Sequence, residues 1–377
     1  MPVEQLPGLL VLRVQTKVKD LNFLSAAWLF DHGMTCLGGS PCIWNLCVVN
    51  MNAKTMKLHL IPVCALAWLT LSISVFAQEG WVATRIVTGG QDLNTVFFLD
   101  SKRGWVGGDN GYLSRTDDAG RNWVRQVVGT TAAINDIYFR DKDAGFLLAG
   151  NTIFVTRDSG TRWSEARRFL PNEFEGASVE LYSVRFSSKK KGWVVGSVSR
   201  QDRVIDSILV FTDDGGDTWQ RQQAPSRLEL IHIDFVNDKR GWIVGAGGTI
   251  LATRDGGQNW TRQDSGTTAT IFHLDFRDEK KGWAVGEKGT VLRTVDGGET
   301  WMAVVTNVRA TMLSVQFLND DDGWAVGRGG TILRSEDTGK TWLQQEATTK
   351  QNLYALYFNK KVGWAVGGDG TILRYER

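Results

Sequence analysis

The strongest constraint on the fold of this chain is a glycine followed by tryptophan or phenylalanine, a pair that recurs seven times after residue 100. The copies are Gly104-Trp105, Gly145-Phe146, Gly192-Trp193, Gly241-Trp242, Gly282-Trp283, Gly323-Trp324 and Gly363-Trp364. Neighbouring copies lie about 40 to 50 residues apart, a period typical of repeat architectures in which each unit is one supersecondary structure. The chain is therefore expected to contain seven similar units.

A second motif, Ser/Thr-x-Asp-x-Gly-x-x-Trp, follows each of the first six pairs. Its aspartates are Asp118, Asp158, Asp214, Asp255, Asp296 and Asp337. An aspartate accepts hydrogen bonds from nearby backbone N–H groups, and the glycine permits a positive φ, so the motif predicts a tight turn. Asp213 beside Asp214 resembles a calcium loop, but Arg254, Val295 and Glu336 take its place in other units. We interpret the six aspartates as structural and predict no metal site.

Each unit contains four short β signals. An inner strand with a Leu-x-x-Val-x-Phe frame, such as Leu93, Val96 and Phe98, precedes the Gly-aromatic pair. The pair opens the second strand, a Gly-Thr-Ile-Leu-Arg segment forms the third, and the motif tryptophan begins the fourth. Four strands in a radially repeated unit are typical of a propeller blade. The sequence predicts an all-β, seven-bladed β-propeller of four-stranded antiparallel blades over residues 78–377.

The seventh unit ends at Arg377 without the second motif, so its blade lacks a fourth strand. Residues 81–85 begin with Trp81 and resemble the fourth-strand segments that begin with Trp123 and Trp260. We therefore expect this N-terminal strand to pair into the last blade, which would close the ring and leave no open edge.

The first 77 residues are expected to lie outside the propeller. Residues 58–77 form an apolar stretch after Met56-Lys57 and end in Val75-Phe76-Ala77, a small-residue cleavage pattern. We interpret residues 56–77 as a signal peptide, with an uncleaved membrane anchor as the alternative, and residues 1–55 as a mis-assigned or disordered extension. The propeller is then exported to a periplasmic, lumenal or extracellular space, and contacts a membrane at most through residues 58–77.

Composition argues against several functions. The formal net charge is +2, and basic and acidic residues balance after residue 77. The overall charge therefore does not favour binding of nucleic acid. All four cysteines precede residue 78, and only His232 and His273 follow it. Zinc chemistry or a histidine-dependent triad is therefore improbable. We expect a monomer with no cofactor and no catalytic residues.

The six motifs resemble the Asp-box, or BNR, repeats of sialidases and other secreted propellers. The seven-copy combination Gly-Trp-Ala-Val-Gly, Gly-Thr-Ile-Leu-Arg-Thr, Asp-Gly-Gly and Thr-Trp is more similar to the photosystem II assembly and stability factor family of cyanobacteria and plastids. The similarity covers residues 79–377. It implies a lumenal or periplasmic propeller that binds a membrane-complex subunit or its precursor during assembly, without catalysis.

Two regions are candidate binding sites. The residue before the motif Ser/Thr is arginine in four units and Val155, Phe211 or Ala252 in the others. The arginines are Arg115, Arg293, Arg334 and Arg374. Ring closure would make their units contiguous, so they could dock an acidic segment; the alternative is an inter-blade salt bridge or stacking on tryptophan. The second region comprises the long connections 164–180 and 197–207, with the candidate residues Phe169, Phe174, Arg200 and Arg203.

The enzymatic alternative is a sialidase-like glycoside hydrolase, or a carbohydrate-binding propeller. Asp136, Asp234 and Asp275 lie on inner strands and could face a central channel as paired carboxylates, although they also fit an ordinary polar lining. The Arg-Ile-Pro signature of sialidases is only echoed at Arg85-Ile86-Val87, and sialidases have six blades. We favour a non-catalytic protein.

Overall fold

A computed structural model describes residues 80–85, 89–359 and 362–376. These residues form seven four-stranded antiparallel sheets, so the seven-bladed β-propeller predicted from the repeats is confirmed. The interpretations of residues 1–55 and 56–77 fall outside the described residues. Within the described part, no helix has the length and apolar character needed to cross a membrane.

The blades follow one another along the chain, and their strands run from the channel outward. The strands of blades 1 to 3 are β2 (Leu93–Phe98), β3 (Gly104–Gly108), β4 (Tyr112–Thr116) and β5 (Val124–Gln126); β6 (Ile134–Phe139), β7 (Gly145–Ala149), β8 (Thr152–Thr156) and β9 (Ser164–Arg168); and β10 (Ser178–Phe186), β11 (Gly192–Arg200), β12 (Arg203–Thr212) and β13 (Gln220–Gln222).

Blades 4 to 6 repeat the pattern. Their strands are β14 (Leu230–Phe235), β15 (Gly241–Gly245), β16 (Thr249–Thr253) and β17 (Thr261–Gln263); β18 (Ile271–Phe276), β19 (Gly282–Gly286), β20 (Val291–Thr294) and β21 (Met302–Ala303); and β22 (Met312–Phe317), β23 (Gly323–Gly327), β24 (Ile332–Ser335) and β25 (Leu343–Gln344). Single 3₁₀ turns lie at Asp109–Gly111, Pro171–Phe174, Ala246–Gly248, Glu287–Gly289, Arg328–Gly330 and Gly368–Gly370.

Blade 7 joins the two ends of the propeller. Its strands are β26 (Leu353–Asn359), β27 (Val362–Gly367), β28 (Thr371–Glu376) and, on the outside, β1 (Gly80–Arg85). β1 runs antiparallel to β28, with Trp81 opposite Tyr375. Trp81 is buried, and its ring centroid lies 5.5 Å from that of Trp324 in blade 6 and 5.7 Å from that of Phe358. The predicted closure of the ring by the N-terminal strand is confirmed.

The core lies between the blades, and this explains the Gly-aromatic pair. Its aromatic ring stacks on the last phenylalanine of the next blade's inner strand, as Trp105 does on Phe139 with centroids 4.3 Å apart. The same contact recurs around the ring, including between Trp364 of blade 7 and Phe98 of blade 1 at 3.5 Å. Because neighbours cover both faces of a blade, the second strands are buried at consecutive positions.

The Asp motif forms the expected kind of turn. In blade 1 the Asp118 carboxylate accepts hydrogen bonds from the Thr116 hydroxyl and the Asn122 backbone N–H, both at 2.8 Å. The backbone hydrogen bond from Asn122 is the main reason that the pKa of Asp118 falls to about 2. In blade 2 the motif glycine, Gly160, has φ +71°, and a Cβ there would lie 2.5 Å from the Trp105 ring. The motif therefore requires glycine for both its turn and its inter-blade packing.

Candidate functional site

The four predicted arginines, here called the arginine row, lie on the third strands of blades 5, 6, 7 and 1. Each is directly opposite the tryptophan of the second strand, as Arg334 is opposite Trp324. The Arg334 guanidinium lies 5.1 Å from the Trp324 ring centroid, and that of Arg115 lies 5.6 Å from the Trp105 ring. The side chains of Arg115, Arg334 and Arg374 keep 18 to 20% of their surface exposed.

Every arginine of the row also has a polar partner. Arg293 donates from Nε to the Thr338 carbonyl of the next blade at 2.7 Å, and from Nη2 to the Thr338 hydroxyl at 3.1 Å. Arg115 pairs with Asp117 at 2.7 Å. Arg334 pairs with Glu336 at 2.8 Å and with Asp322 at 3.3 Å.

Arg374 pairs with Glu376. Stacking on tryptophan is therefore present for Arg115 and Arg334. The ion pairs described for the row join residues of the same blade, so they are not the inter-blade salt bridges of the structural alternative. The carboxylates of Asp117, Glu336 and Glu376 are more than half exposed, however.

The seven inner strands surround a central channel with a volume of about 540 Å³. Asp136, Asp234 and Asp275 line it as the sequence suggested. Each carboxylate accepts a hydrogen bond from a backbone N–H of the next inner strand. The donors are Val184 at 2.9 Å, Phe276 at 3.2 Å and Phe317 at 2.8 Å, respectively.

The inner strands are sheet edges, and their inward N–H groups need partners other than a neighbouring strand. The channel carboxylates supply these partners. Gln316 acts in the same way, since its Oε1 accepts from the Phe358 N–H at 2.7 Å. These four side chains therefore tie the inner strands of blades 2, 4, 5 and 6 to the inner strand of the next blade.

A buried charge network surrounds Asp136. Arg185 donates to its Oδ2 at 2.6 Å and, from Nη2, contacts His232 Nε2 at 3.1 Å. An arginine has no acceptor, so Nε2 of His232 must accept, and the imidazole must be neutral. Burial, followed by the charges of His273 and Arg185, holds the pKa of His232 well below its ordinary value.

Burial also lowers the pKa of the neighbouring imidazole and raises the pKa of the carboxyl groups of Asp234 and Asp275. His273 stacks on His232 with ring centroids 3.7 Å apart, and burial lowers its pKa to about 3. Burial, and secondly the charge of Asp234, raises the pKa of Asp275 to about 7. Asp275 is therefore the channel group that titrates near neutral pH. Among the described side chains, no set of three or more His, Cys, Asp or Glu residues is arranged to hold a metal ion.

The channel network includes residues that the sequence analysis did not single out. Arg185 and Gln316 occupy the same frame position as Asp234 and Asp275, directly before the last phenylalanine of the inner strand. This shared position can be recognised in the sequence. The backbone N–H of the next blade that each acceptor binds cannot be predicted in this way, because every residue except proline has such a group.

The long connections of blades 2 and 3 form an extension of β10, β11 and β12. Phe169 and Phe174 are 3% and 8% exposed, so they belong to the core of the extension, and their side chains do not form the predicted surface. The Arg221 guanidinium covers Phe174 at 5.0 Å. A buried phenylalanine was mistaken for a surface one because the sequence does not show that the loop folds back on itself.

The other two candidates of the extension lie on its surface. Arg200 donates to the Glu175 carbonyl at 3.0 Å, and Arg203 is exposed. Their role in binding remains a prediction.

A known protein family matches much of this chain. The model described as "Photosynthesis system II assembly factor YCF48" matches residues 121–229, 220–269, 259–309 and 302–376, which together exceed half of the chain. The chloroplastic photosystem II stability/assembly factor HCF136 of Arabidopsis thaliana is 28% identical over 124 residues, covering 30% of this chain and 27% of the relative. The photosystem II assembly lipoprotein Ycf48 of Synechococcus sp. (strain CC9902) is 29% identical over 100 residues, 26% of either chain. These matches span about a quarter of each relative.

Solved structures share the fold at low sequence identity. A structure described as YCF48 bound to D1 peptide has a TM-score of 0.64 and 19% identity, over 79% of this chain and 95% of that one. YCF48 from Cyanidioschyzon merolae has a TM-score of 0.63 and 20% identity, over 78% and 98%. Virginiamycin B lyase from Staphylococcus aureus has a TM-score of 0.65 and 14% identity, over 80% and 100%. Likeness at this level shows the fold alone, whereas the match to the family model shows that this chain belongs to the photosystem II assembly factor YCF48 family.

Proposed function

We propose that this protein is an exported, non-catalytic propeller that binds a membrane-complex subunit, or the precursor of one, during assembly. The observation that carries the proposal is the restriction of the arginine row to four contiguous blades. Val155, Phe211 and Ala252 occupy the same position in blades 2 to 4, and these blades have the same four strands. Arginine at this position is therefore not a requirement of the blade.

The chemistry of the row suits an acidic ligand. A guanidinium presents a planar fork of donors that matches a carboxylate, and the two can form paired hydrogen bonds. The present partners Asp117, Glu336 and Glu376 are exposed, and exposed ion pairs contribute at most about 1 kcal/mol each. A carboxylate of a bound segment could replace them at little cost. One solved relative is described as bound to a D1 peptide, so we propose D1 as the first partner to test.

The channel supports the non-catalytic half of the proposal. The carboxylates that the hydrolase alternative would need accept backbone N–H groups of the next blade, and Asp136 is also paired with Arg185. These contacts account for each carboxylate as a link between the inner strands of neighbouring blades. The shared fold of a lyase carries no weight for catalysis here, because one fold hosts many functions.

The test of the proposed function is binding of a synthetic D1 peptide, measured by calorimetry. We expect the wild type to bind and the variant R115A/R293A/R374A, which keeps Arg334 as the partner of the buried Asp322, to bind at least tenfold more weakly, with nearly the same melting temperature. The matched control is R162A/R227A/R262A, which removes three exposed arginines from the other part of the ring and should bind normally. Unchanged binding with a large loss of stability in the first variant would instead support a structural role for the row.

Export is the second part of the proposal. Two of the relatives are named as a lipoprotein and as a chloroplastic protein. Cleavage after Ala77 would leave β1 intact, because this strand begins at Gly80. N-terminal sequencing of the mature protein from its native host should give Gln78 as the first residue. A mature protein that retains residues 58–77 in the membrane fraction would support the anchor instead.

A further inference from the structure

The outer strands of blades 5, 6, 7 and 1, which carry the arginine row, differ from the outer strands of blades 2 to 4. The residue after the motif tryptophan, or after Trp81 in β1, is apolar and exposed in blades 5, 6, 7 and 1. The four residues and their exposed fractions are Met302 (44%), Leu343 (66%), Val82 (63%) and Val124 (68%). In blades 2, 3 and 4 the same position holds the exposed polar residues Ser164, Gln220 and Thr261.

Strand register places each exposed apolar residue directly opposite an arginine of the row. The pairs are Met302 and Arg293, Leu343 and Arg334, Val82 and Arg374, and Val124 and Arg115. Directly opposite residues of antiparallel strands share one face, with their Cβ atoms about 4.5 to 5.5 Å apart. Each of these blades therefore presents an apolar side chain beside a guanidinium. We call the four pairs the rim row.

Blades 2 to 4 show the reverse arrangement. Their third strands carry apolar residues, and the opposite fourth-strand residues are polar, as in the pairs Val155 and Ser164, Phe211 and Gln220, and Ala252 and Thr261. The propeller therefore folds equally well with a polar outer residue. The four exposed apolar side chains are therefore not a requirement of the blade, and their recurrence at one position of successive blades is the observation that suggests an interaction surface.

The rim row spans four successive blades of the ring. Trp283 of blade 5 stacks on Phe317 of blade 6, and Trp324 of blade 6 packs on Phe358 of blade 7. Phe98 of blade 1 stacks on Trp364 of blade 7. The four pairs thus lie on four successive blades, and an extended ligand can reach several of them.

We propose that the rim row is the docking surface for an extended partner segment that carries both apolar side chains and carboxylates. This inference rests on the proposed function and adds the chemistry of the partner. Apolar side chains of the segment would cover Val82, Val124, Met302 and Leu343, and its carboxylates would meet the guanidinium groups behind them. Arg293 is the most available of these groups, since its described hydrogen bonds go to Thr338, which is neutral.

Charge complementarity favours such a segment over a second copy of this chain. A two-fold interface places the same patch of both copies together. In such an interface the guanidinium groups could meet only the carboxylates of the other copy, Asp117, Glu336 and Glu376, which already have partners, so no charge complementarity would be gained. An acidic and apolar segment instead gives each member of a pair a complementary partner.

The test replaces the exposed apolar residues of the rim row with polar ones, and the polar residues at the equivalent positions of blades 2 to 4 with apolar ones. The first variant is V82T/V124S/M302T/L343Q, in which every new side chain is one that the protein itself uses at the equivalent position of blades 2 to 4. The second variant is S164V/Q220L/T261M, which creates exposed apolar residues where no arginine lies opposite. The probes are a synthetic D1 peptide, a peptide that alternates leucine with glutamate, and one that alternates leucine with lysine.

We expect the wild type to bind the leucine–glutamate peptide and not the leucine–lysine peptide. The first variant should bind it at least tenfold more weakly with an unchanged melting temperature, and the second variant should bind as the wild type does. Equal binding by the wild type and the first variant, or no binding of the leucine–glutamate peptide, would overturn the inference. So would a wild-type dimer, seen by light scattering, that dissociates in the first variant.

The D1 peptide separates the inference from the proposed function. If D1 fails to bind while the leucine–glutamate peptide binds at the rim row, the inference stands and the proposed partner is wrong. If D1 binds the first variant as tightly as the wild type, the proposed function stands and the inference is wrong.

Discussion

The channel wall and the outer rim both place an aspartate beside an arginine, but in different surroundings. At the wall, Asp136 pairs with Arg185 at 2.6 Å, and their side chains are 11% and 20% exposed. At the rim, Asp117 pairs with Arg115 at 2.7 Å, and the aspartate is 61% exposed. The wall aspartate also accepts a backbone N–H of the next blade, whereas the described bonds of Asp117 go to Arg115.

The difference shows that ion pairs of the same residue types can be buried between blades or lie exposed to solvent. A buried carboxylate that loses its partner leaves an uncompensated charge and an unpaired N–H. An exposed pair competes with water and is easily exchanged. Burial and backbone contacts therefore decide which arginines and aspartates are structural.

The largest expected difference in the free energy of unfolding is between variants of two adjacent residues of β1. Trp81 is 5% exposed and Val82 is 63% exposed, although both lie in the outermost strand of blade 7. Trp81→Ala should lower the free energy of unfolding by about 3–5 kcal/mol, the usual cost of removing a buried tryptophan. Val82→Thr should change it by less than about 0.5 kcal/mol. Urea denaturation of both variants measures the difference.

Removing the whole strand is the stronger form of this test. Deletion of residues 79–88 should abolish cooperative unfolding, because blade 7 would lose its fourth strand. A truncated protein that melts like the intact one would show that β1 does not close the ring.

For the two aspartate–arginine pairs, an effect of similar size is expected at the channel wall and a smaller one at the rim. Asp136→Ala should destabilise the protein by about 3–5 kcal/mol, because it leaves Arg185 without its charge partner. Asp136→Asn should destabilise the protein less than Asp136→Ala does, since asparagine keeps an acceptor for the Val184 N–H. Asp117→Ala at the rim should cost less than about 1 kcal/mol. Equal costs for the two alanine variants would remove the distinction between wall and rim.

The smallest expected effect is a pH dependence of stability, which arises from Asp275 in the channel wall. The pKa of Asp275 is about 7 in the folded protein, above its ordinary value of 3.8. The folded state therefore holds this proton more tightly than the unfolded state does. The resulting stability is fully present below pH 3.8 and is lost as the pH rises through 7.

Asp275→Asn should remove this part of the pH dependence. Compared with the wild type, the variant should gain on the order of 1–3 kcal/mol between pH 5 and pH 8, since one pKa unit corresponds to about 1.4 kcal/mol. Urea midpoints at the two pH values provide the measurement. A difference between variant and wild type that does not change with pH would show that Asp275 titrates normally.

Much of the architecture could be predicted from the sequence because its causes are local or repeated. The Asp118 turn joins residues at most four positions apart, so its motif can be recognised directly. The resemblance of Trp81 and its neighbours to other fourth strands predicted that the N-terminal strand pairs into the last blade, and in the structure Trp81 lies opposite Tyr375, near the other end of the chain. This succeeded because every blade has the same need for a fourth strand.

The candidate sites were less predictable because they depend on burial. Phe169 and Phe174 were expected on a surface, yet the extension folds over them. Asp234 and Asp275 could be read as paired catalytic acids, because their N–H partners lie on the next blade. The arginine row could be read from the repeats, but not the exposed apolar residues opposite it.

The sequence by itself determined the number of blades, the turn chemistry and the closure of the ring, since each follows from a pattern repeated along the chain. Only the tertiary structure decided which polar residues hold the blades together and which face solvent. The physical reason is that both roles use the same residue types. The free energy of an aspartate or an arginine depends on its desolvation and on the backbone groups that neighbouring blades bring to it.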